Sequence, residues 1–316
     1  MTAQPLAISQ PLAISQPLRL SLPAPISPAA PGLFPSQPKS CFGRLAGPVW
    51  PWRGEGMVQL SRTTAVARLE PISLAELNAR AELQIRVDRK YVLPLADAMR
   101  LLHGLHVSTR VLEIDGERTF RYQSVYFDTP ELTSYRLAAL RRRRRFKIRT
   151  RTYVDSALCF LEVKTEGYRG GTVKDRVSYD LTCEESVDPG RWFVDQVLGL
   201  PDHVTFAPVL RTRYRRTTFY IPDGNSRVTV DTDLSWLDTD GRHLALPEVA
   251  VVESKTASAA SLVDRLLWRS GHRPARISKY ATGLAALRPE LPGVPWRRTM
   301  RQSTSIRRTV DGASAF

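Results

Sequence analysis

Charged residues recur on alternate positions in six short stretches of this chain, with apolar or small residues between them. The clearest runs from Phe146 to Tyr153. Lys147, Arg149 and Arg151 fall on one parity there, and Phe146, Ile148 and Thr150 on the other. Successive side chains of a β-strand point to opposite faces, so such a segment makes a strand with one strongly cationic face. The same reading fits the segments that start at Val87, Phe160, Gly171, Arg227 and Val251, and several of them carry a carboxylate on the cationic parity as well. A sheet of this kind has two ways to satisfy its charges. It can stay open with the charged face in water, or it can close with the charged face inside. The closed form is costly when dry: each desolvated ion loses several kcal/mol, and two like charges ~4 Å apart repel by roughly 4 kcal/mol at an effective dielectric near 20. It makes sense as a wet lumen that holds a polyanion with a bound cation.

The rest of the composition agrees with an anionic partner. The 316 residues suffice for one large domain or two small ones, and 42% apolar content supplies a core. A net charge of +15 and a pI near 10.2 point to nucleic acid, anionic lipid or phosphate chains without choosing among them. Cys41, Cys159 and Cys183 make no CxxC pair and no disulfide framework, which reads as a reducing, cytoplasmic setting. His103 and His106 have no further Cys or His at ligand spacing, so a His-ligated zinc site is not expected. No apolar run is long enough for a membrane-spanning helix, and the N-terminus lacks the pattern of a signal peptide.

Residues 1–56 stand apart: QPLAIS repeats from Gln4 and from Gln10, and prolines follow at a density that no helix or central strand survives. This segment reads as disordered, with Met57 as an alternative translation start. Residues 57–80 read as a linker with a helix, 81–292 as the globular domain and 293–316 as a basic disordered tail. Within the domain roughly eight strands come in runs, with four or five helices between or after them. The expected class is therefore α+β with a mainly antiparallel sheet.

The charged segments, in their order, resemble the VTC (vacuolar transporter chaperone) polyphosphate polymerase domain of the triphosphate tunnel metalloenzyme superfamily. The pieces are DRKYVL, SVYFDTPEL, FKIRTRTY, FLEVKTEG, TVKDR, RTRYRRTTF, RVTVDTDL, VVESKT and ISKY, across residues 82–288. The resemblance implies an eight-stranded antiparallel tunnel or barrel with a charged lumen, flanked by helices, that binds ATP and a growing phosphate chain. It assigns the phosphate-handling cations to Lys90, Arg149, Arg151, Lys164, Lys174, Arg216, Arg227 and Lys279. It makes Glu253 the first carboxylate for Mn or Mg, with Asp231 and Glu162 as helpers. These residue types suit phosphoryl transfer, which needs positioning and charge neutralisation more than covalent help.

Hydrolytic tunnel enzymes carry an ExExK first strand, whereas this chain has Arg86 and Asp88 before Lys90. That departure favours transfer to a phosphate chain over hydrolysis. The expected function is a metal-dependent polyphosphate polymerase. The alternatives are a tunnel-fold triphosphatase or nucleotide-processing enzyme, and a non-catalytic polyphosphate or nucleic-acid binder. Nucleic acid is the less favoured partner, because the inner-face parity reads as poor in aromatics for base stacking. Gly167, Gly170 and Gly171 read as a hairpin turn, Asp128 as a turn initiator, and the run Arg141–Arg145 as a solvated loop or a guide at the tunnel mouth.

Overall fold

The alternation along the chain becomes one antiparallel sheet. The computed structural model describes residues 63–81, 87–167, 171–200, 203–257, 259–296 and Thr299. The readings for residues 1–56, for Arg86, and for the tail beyond Trp296, Thr299 aside, lie outside the described residues. In chain order the elements are α1 (Thr64–Ala67), β1 (Glu70–Ile72), α2 (Leu74–Ala81), β2 (Val87–Pro94), α3 (Leu95–His103), β3 (Arg110–Leu112) and β4 (Phe120–Asp128). Then come α4 (Thr133–Ala139), β5 (Phe146–Tyr153), β6 (Leu158–Glu166), β7 (Thr172–Tyr179), α5 (Arg191–Leu198) and β8 (Ala207–Ile221). The last are β9 (Ser226–Asp238), β10 (His243–Leu246), β11 (Val249–Thr256), α6 (Leu262–Arg269) and α7 (Lys279–Leu287).

The main strands lie in the order β2-β11-β9-β8-β4-β5-β6-β7, and every neighbouring pair is antiparallel. The α+β antiparallel reading holds. Among the described residues no ladder joins β2 to β7, so the sheet is not a hydrogen-bonded closed barrel. It is nonetheless curled. Lys147 of β5 feels the charge of Lys90 on β2, and Lys164 of β6 feels Glu253 on β11, although these strands are far apart in the sheet order.

The parity opposite the charges faces helices. Tyr91, Leu93, Phe219, Val228, Val230, Ala250 and Val252 pack against Ala65 and Val66 of α1, Ala98 and Leu102 of α3, and Val263 and Leu267 of α6. Val125, Phe127, Ile148, Leu161 and Val163 pack against Phe193 and Val194 of α5. Burial of such large side chains stabilises by roughly 1.5–3 kcal/mol each. The segment read as a linker is built in: β1 pairs in parallel with β3, and Leu77 and Ala81 of α2 pack on Leu112 and Tyr220. At the other end of the chain Trp296, inside the stretch read as tail, is 5% exposed and packs with Tyr135.

Two features shape the inner face. The first is a β-bulge in β9. Arg213 pairs with Ser235 and Arg215 with Thr232, so Asp233 and Leu234 together oppose Tyr214. Asp233 takes φ = +52° there, a left-handed conformation that Asp tolerates better than most residues. The second is α7, which packs on Tyr126, Tyr214, Leu234, Trp236, Val249 and Val251. Gly283 permits this approach, because an added Cβ would lie 2.3 Å from Trp236 Cδ1. A G283A variant is expected to lose about 1–3 kcal/mol through overpacking. Helix propensity alone predicts a gain of about 1 kcal/mol. The midpoint of urea unfolding, at unchanged m-value, separates the two.

Asp128 does more than start a turn. It is fully buried, accepts backbone N–H bonds from Thr129, Ser134 and Tyr135, and accepts the hydroxyl of Tyr280 on α7. It thus caps α4 and ties α7 to β4; burial nevertheless raises its pKa despite these bonds. Cys159 is a buried free thiol.

Candidate functional site

The inner face gathers its cations around three carboxylates. The first cluster sits on β5, β6 and β7. Cross-strand register places Arg149 opposite Glu162, and Glu162 opposite Arg176. Arg149 donates to one Glu162 oxygen through Nε at 2.8 Å and a terminal nitrogen at 2.6 Å, and to the Tyr126 hydroxyl at 3.1 Å. Lys174 donates to the other Glu162 oxygen at 3.1 Å, and Arg151 Nε lies 3.9 Å away. Glu162 is fully buried. Burial pushes its pKa up, but Arg149, Arg151, Lys174 and Lys164 together outweigh that and hold the carboxyl far below its usual range.

The second cluster joins β8, β9 and α7. Arg216 grips Asp231 with two bonds, at 2.6 and 2.8 Å, and Lys279 at the start of α7 pairs with the same carboxylate. Burial opposes ionisation of Asp231, yet Arg216 and Lys279 lower its pKa. The third is a single pair: Lys90 of β2 and Glu253 of β11 stand opposite each other in the ladder, 3.0 Å apart. Burial pushes the Glu253 pKa up, and Lys255, Lys90 and Arg216 more than reverse it.

The cations exceed what these carboxylates neutralise. Arg149 is the largest influence on Lys164, followed by burial and Arg151, and together they drive its pKa well below 10.5. Burial, then Lys90, Arg145 and Arg149, bring Lys147 down to about 8. Burial also lowers Lys174, even though Glu162 partly compensates. Of the residues assigned from sequence, Arg227 behaves differently: it reaches α2, donating to Leu77 O at 3.1 Å and Asn78 Oδ1 at 2.9 Å. Glu162 and Asp231 each hold two or more cations, whereas Glu253 holds one lysine at hydrogen-bonding distance. Among the described residues no three His, Cys, Asp or Glu side chains come together to hold a metal.

Sequence reasoning missed the aromatic residues of this face. Tyr122 and Tyr214 stack with centroids 5.2 Å apart. Arg216 lies over both rings, at 5.2 and 5.3 Å, Arg151 over Tyr122 at 5.7 Å, and Lys279 over Tyr214 at 4.3 Å. The inner parity is therefore not poor in aromatics. Its rings are taken up as platforms for cations, each contact worth roughly 0.5–2 kcal/mol. Lys147 and Arg176 also belong to the face, and the alternation of β5 and β7 already carried that signal. In the arginine run, Arg141–Arg144 are exposed and Arg145 bonds Glu166 at 2.7 Å.

Fold and site define an α+β protein whose curled antiparallel sheet turns a strongly cationic face inward. The VTC domain family model matches residues 85–288, and the chain belongs to that family. No curated protein matches it. Among solved structures, a Hippeastrum protein studied as an adenylyl cyclase and described as having dominant triphosphatase activity is 17% identical. That match covers 63% of this chain and 94% of the other, with a TM-score of 0.40. A Vibrio parahaemolyticus protein described as a candidate adenylate cyclase is 13% identical over 60% and 84%, with a TM-score of 0.32. The PH1012 protein of Pyrococcus horikoshii is 12% identical over 59% and 90%, with a TM-score of 0.33. Among the described residues no helix is long and apolar enough to cross a membrane.

Proposed function

We propose that the inner face binds a linear phosphate chain and that the protein is a metal-dependent polyphosphate polymerase, with ATP as donor. The observation that carries this reading is the surplus of inward cations over carboxylates, expressed in the depressed lysines Lys147, Lys164 and Lys174. Such a surface is electrostatically unsatisfied without an anion, and membership in the VTC domain family fits a phosphate ligand.

In this reading an oxygen of the chain-end phosphate attacks the γ-phosphorus of ATP, a new P–O–P linkage forms, and the bond to ADP breaks. The nucleophile is already anionic, so no general base is needed. Arg149, Arg151 and Arg216 offer planar forks, held in place by Glu162, Asp231 and the tyrosine rings, and Lys90, Lys164, Lys174 and Lys279 offer point charges. Preset donors of this kind stabilise the charge of the transition state without reorganisation. A divalent ion, Mg or Mn, would be held by Glu253, and it would neutralise charge on the transferred group. Asp231 and Glu162, already engaged by cations, act first as anchors for those cations.

The test is incubation of the protein with ATP and Mn²⁺, with and without a short polyphosphate primer, and separation of products on a gel. Chain growth is expected for the wild type. K90A and E253A should each lose it by at least about 100-fold, in line with removal of one preset electrostatic group. Release of free phosphate without chain growth would replace the polymerase by a hydrolase. Absence of both, with retained phosphate binding, would leave a binder.

A further inference from the structure

Four arginines take no part in the clusters of the inner face. Arg141–Arg144 are exposed, and among the described residues no carboxylate pairs with any of them. The next arginine shows the contrast: Arg145 bonds Glu166 at 2.7 Å and ties the run to the end of β6. The backbone presents the run in a strained turn. Arg142 N–H donates to Leu137 O at 2.9 Å and Arg141 N–H to Ala138 O at 3.2 Å, which closes α4 with a left-handed residue. That residue is Arg141, at φ = +54°, in a place that glycine usually fills. Folding alone does not favour arginine there.

Apolar side chains gather around the same corner. Leu140, directly before the run, is 59% exposed, Trp192 of α5 61% and Val173 of β7 46%. Phe146, the first residue of β5, connects them. Val173 stands opposite Thr165, and Thr165 opposite Phe146. Phe206 packs edge-on against Phe146, and Arg191, next to Trp192, lies over Phe206 at 5.3 Å. Single exposed apolar residues are ordinary on a protein surface. A leucine, a valine and a tryptophan beside unpaired arginines ask for a partner that is anionic and apolar at once. A free phosphate chain gives such side chains nothing to bury, and nucleic acid gives them only bases to stack on. An anionic bilayer gives phosphates for the guanidinium forks and, just beneath them, the acyl boundary in which leucine and tryptophan settle.

We propose that this corner, formed by Leu140, Arg141–Arg144, Val173 and Trp192, docks on an anionic lipid surface, with the arginines at the headgroups and Leu140 and Trp192 in the interface. The protein then lies on a bilayer without spanning it. The proposal does not depend on the phosphate-chain reading of the inner face. Each arginine near such a surface is worth about fivefold in affinity, so the run as a whole is worth on the order of several hundred-fold.

The experiment sediments the full chain with vesicles of phosphatidylcholine alone and of an equimolar mixture with phosphatidylserine, at fixed pH, and follows tryptophan emission. The wild type should bind the mixed vesicles, release them as salt is raised, and shift its emission to the blue on binding. Replacing Arg141–Arg144 by glutamine should weaken binding by on the order of several hundred-fold, and replacing them by lysine should restore most of it, because the surface reads charge. R143Q and R144Q, which leave the end of α4 alone, should each weaken it about fivefold. L140S/W192S should bind at least about tenfold less tightly and lose the blue shift. Thermal midpoints and tripolyphosphate affinity should stay at the wild-type level in all of these variants. A wild type that ignores the mixed vesicles overturns the proposal, and so does unchanged binding by the glutamine variant or by L140S/W192S. A glutamine variant with the wild-type thermal midpoint that loses tripolyphosphate affinity as strongly as vesicle affinity also overturns it, and makes the run an approach path for phosphate chains.

Discussion

An E162Q variant is expected to lose about 3–5 kcal/mol of folding stability, the range seen when one partner of a buried charge cluster is removed. Glu162 is fully buried and faces Arg149, Lys174 and Arg151 at 2.6–3.9 Å. Glutamine keeps the shape and removes the charge, so the cations that remain repel one another with no carboxylate between them. The same argument predicts a rescue. Tripolyphosphate replaces the missing negative charge, and a ligand that binds the folded state alone stabilises it by RT ln(1 + [L]/Kd). The gain in thermal midpoint on adding tripolyphosphate should therefore be larger for E162Q than for the wild type. Equal stability of E162Q and wild type without ligand would show that Glu162 does not balance the cluster.

The second large effect is in pH, and it has opposite signs for stability and for binding. Lys147 has a pKa of about 8 in the folded protein against an ordinary 10.5, and Lys164 and Lys174 are shifted the same way. Between those values the unfolded chain holds more protons than the folded one, so stability rises with pH through this window. Lys147 alone contributes on the order of 3 kcal/mol across it. Anion affinity moves the other way, since each lysine that loses its proton is one charge fewer. Chemical unfolding at pH 7.5, 8.5 and 9.5 should show the free protein gaining stability, while tripolyphosphate affinity falls over the same steps. A bound polyanion raises these lysines again, so binding near pH 8.5 should take up protons, visible as a buffer-dependent heat. A K147M variant should flatten both slopes. Stability that falls between pH 7.5 and 9.5 in the free protein would refute the account.

The strands and their inner parity were legible in the sequence because a period of two is a local property. Lys147, Arg149 and Arg151 had to share a face once β5 formed, and likewise Lys90 with Asp88. What joins those faces is not local. That Arg149 and Lys174 would meet on Glu162 depends on the register of β5, β6 and β7. That Lys279 would reach Asp231 depends on where α7 docks. The tyrosines were hidden for a different reason: Tyr122, Tyr126 and Tyr214 look like core residues by type, and they are buried, but on the charged side of the sheet. Arg227 had the right parity and the right motif, and it still turned towards α2. Leu74–Ala81 has helical spacing and reads as a helix, but that it would pack on Leu112 and Tyr220 depends on the fold and not on its local pattern.

The bulge in β9 shows how far a single backbone irregularity can reach. Arg227, Asp231 and Asp233 share one parity in the sequence, yet Asp233 leaves the inner face and pairs with Arg215 at 3.2 Å. Leu234 and Trp236 take over that face beneath α7. The same strand thus serves two compartments, a wet one for charge and a dry one for the helix, and the border between them is written in the phase of the chain. Point substitutions can change what lines either compartment without moving that border. Removing Asp233 would straighten the strand and leave Leu234 and Trp236 facing the helix, whereas pairing the full strand without the bulge would turn Asp233 inward and Trp236 to the opposite face.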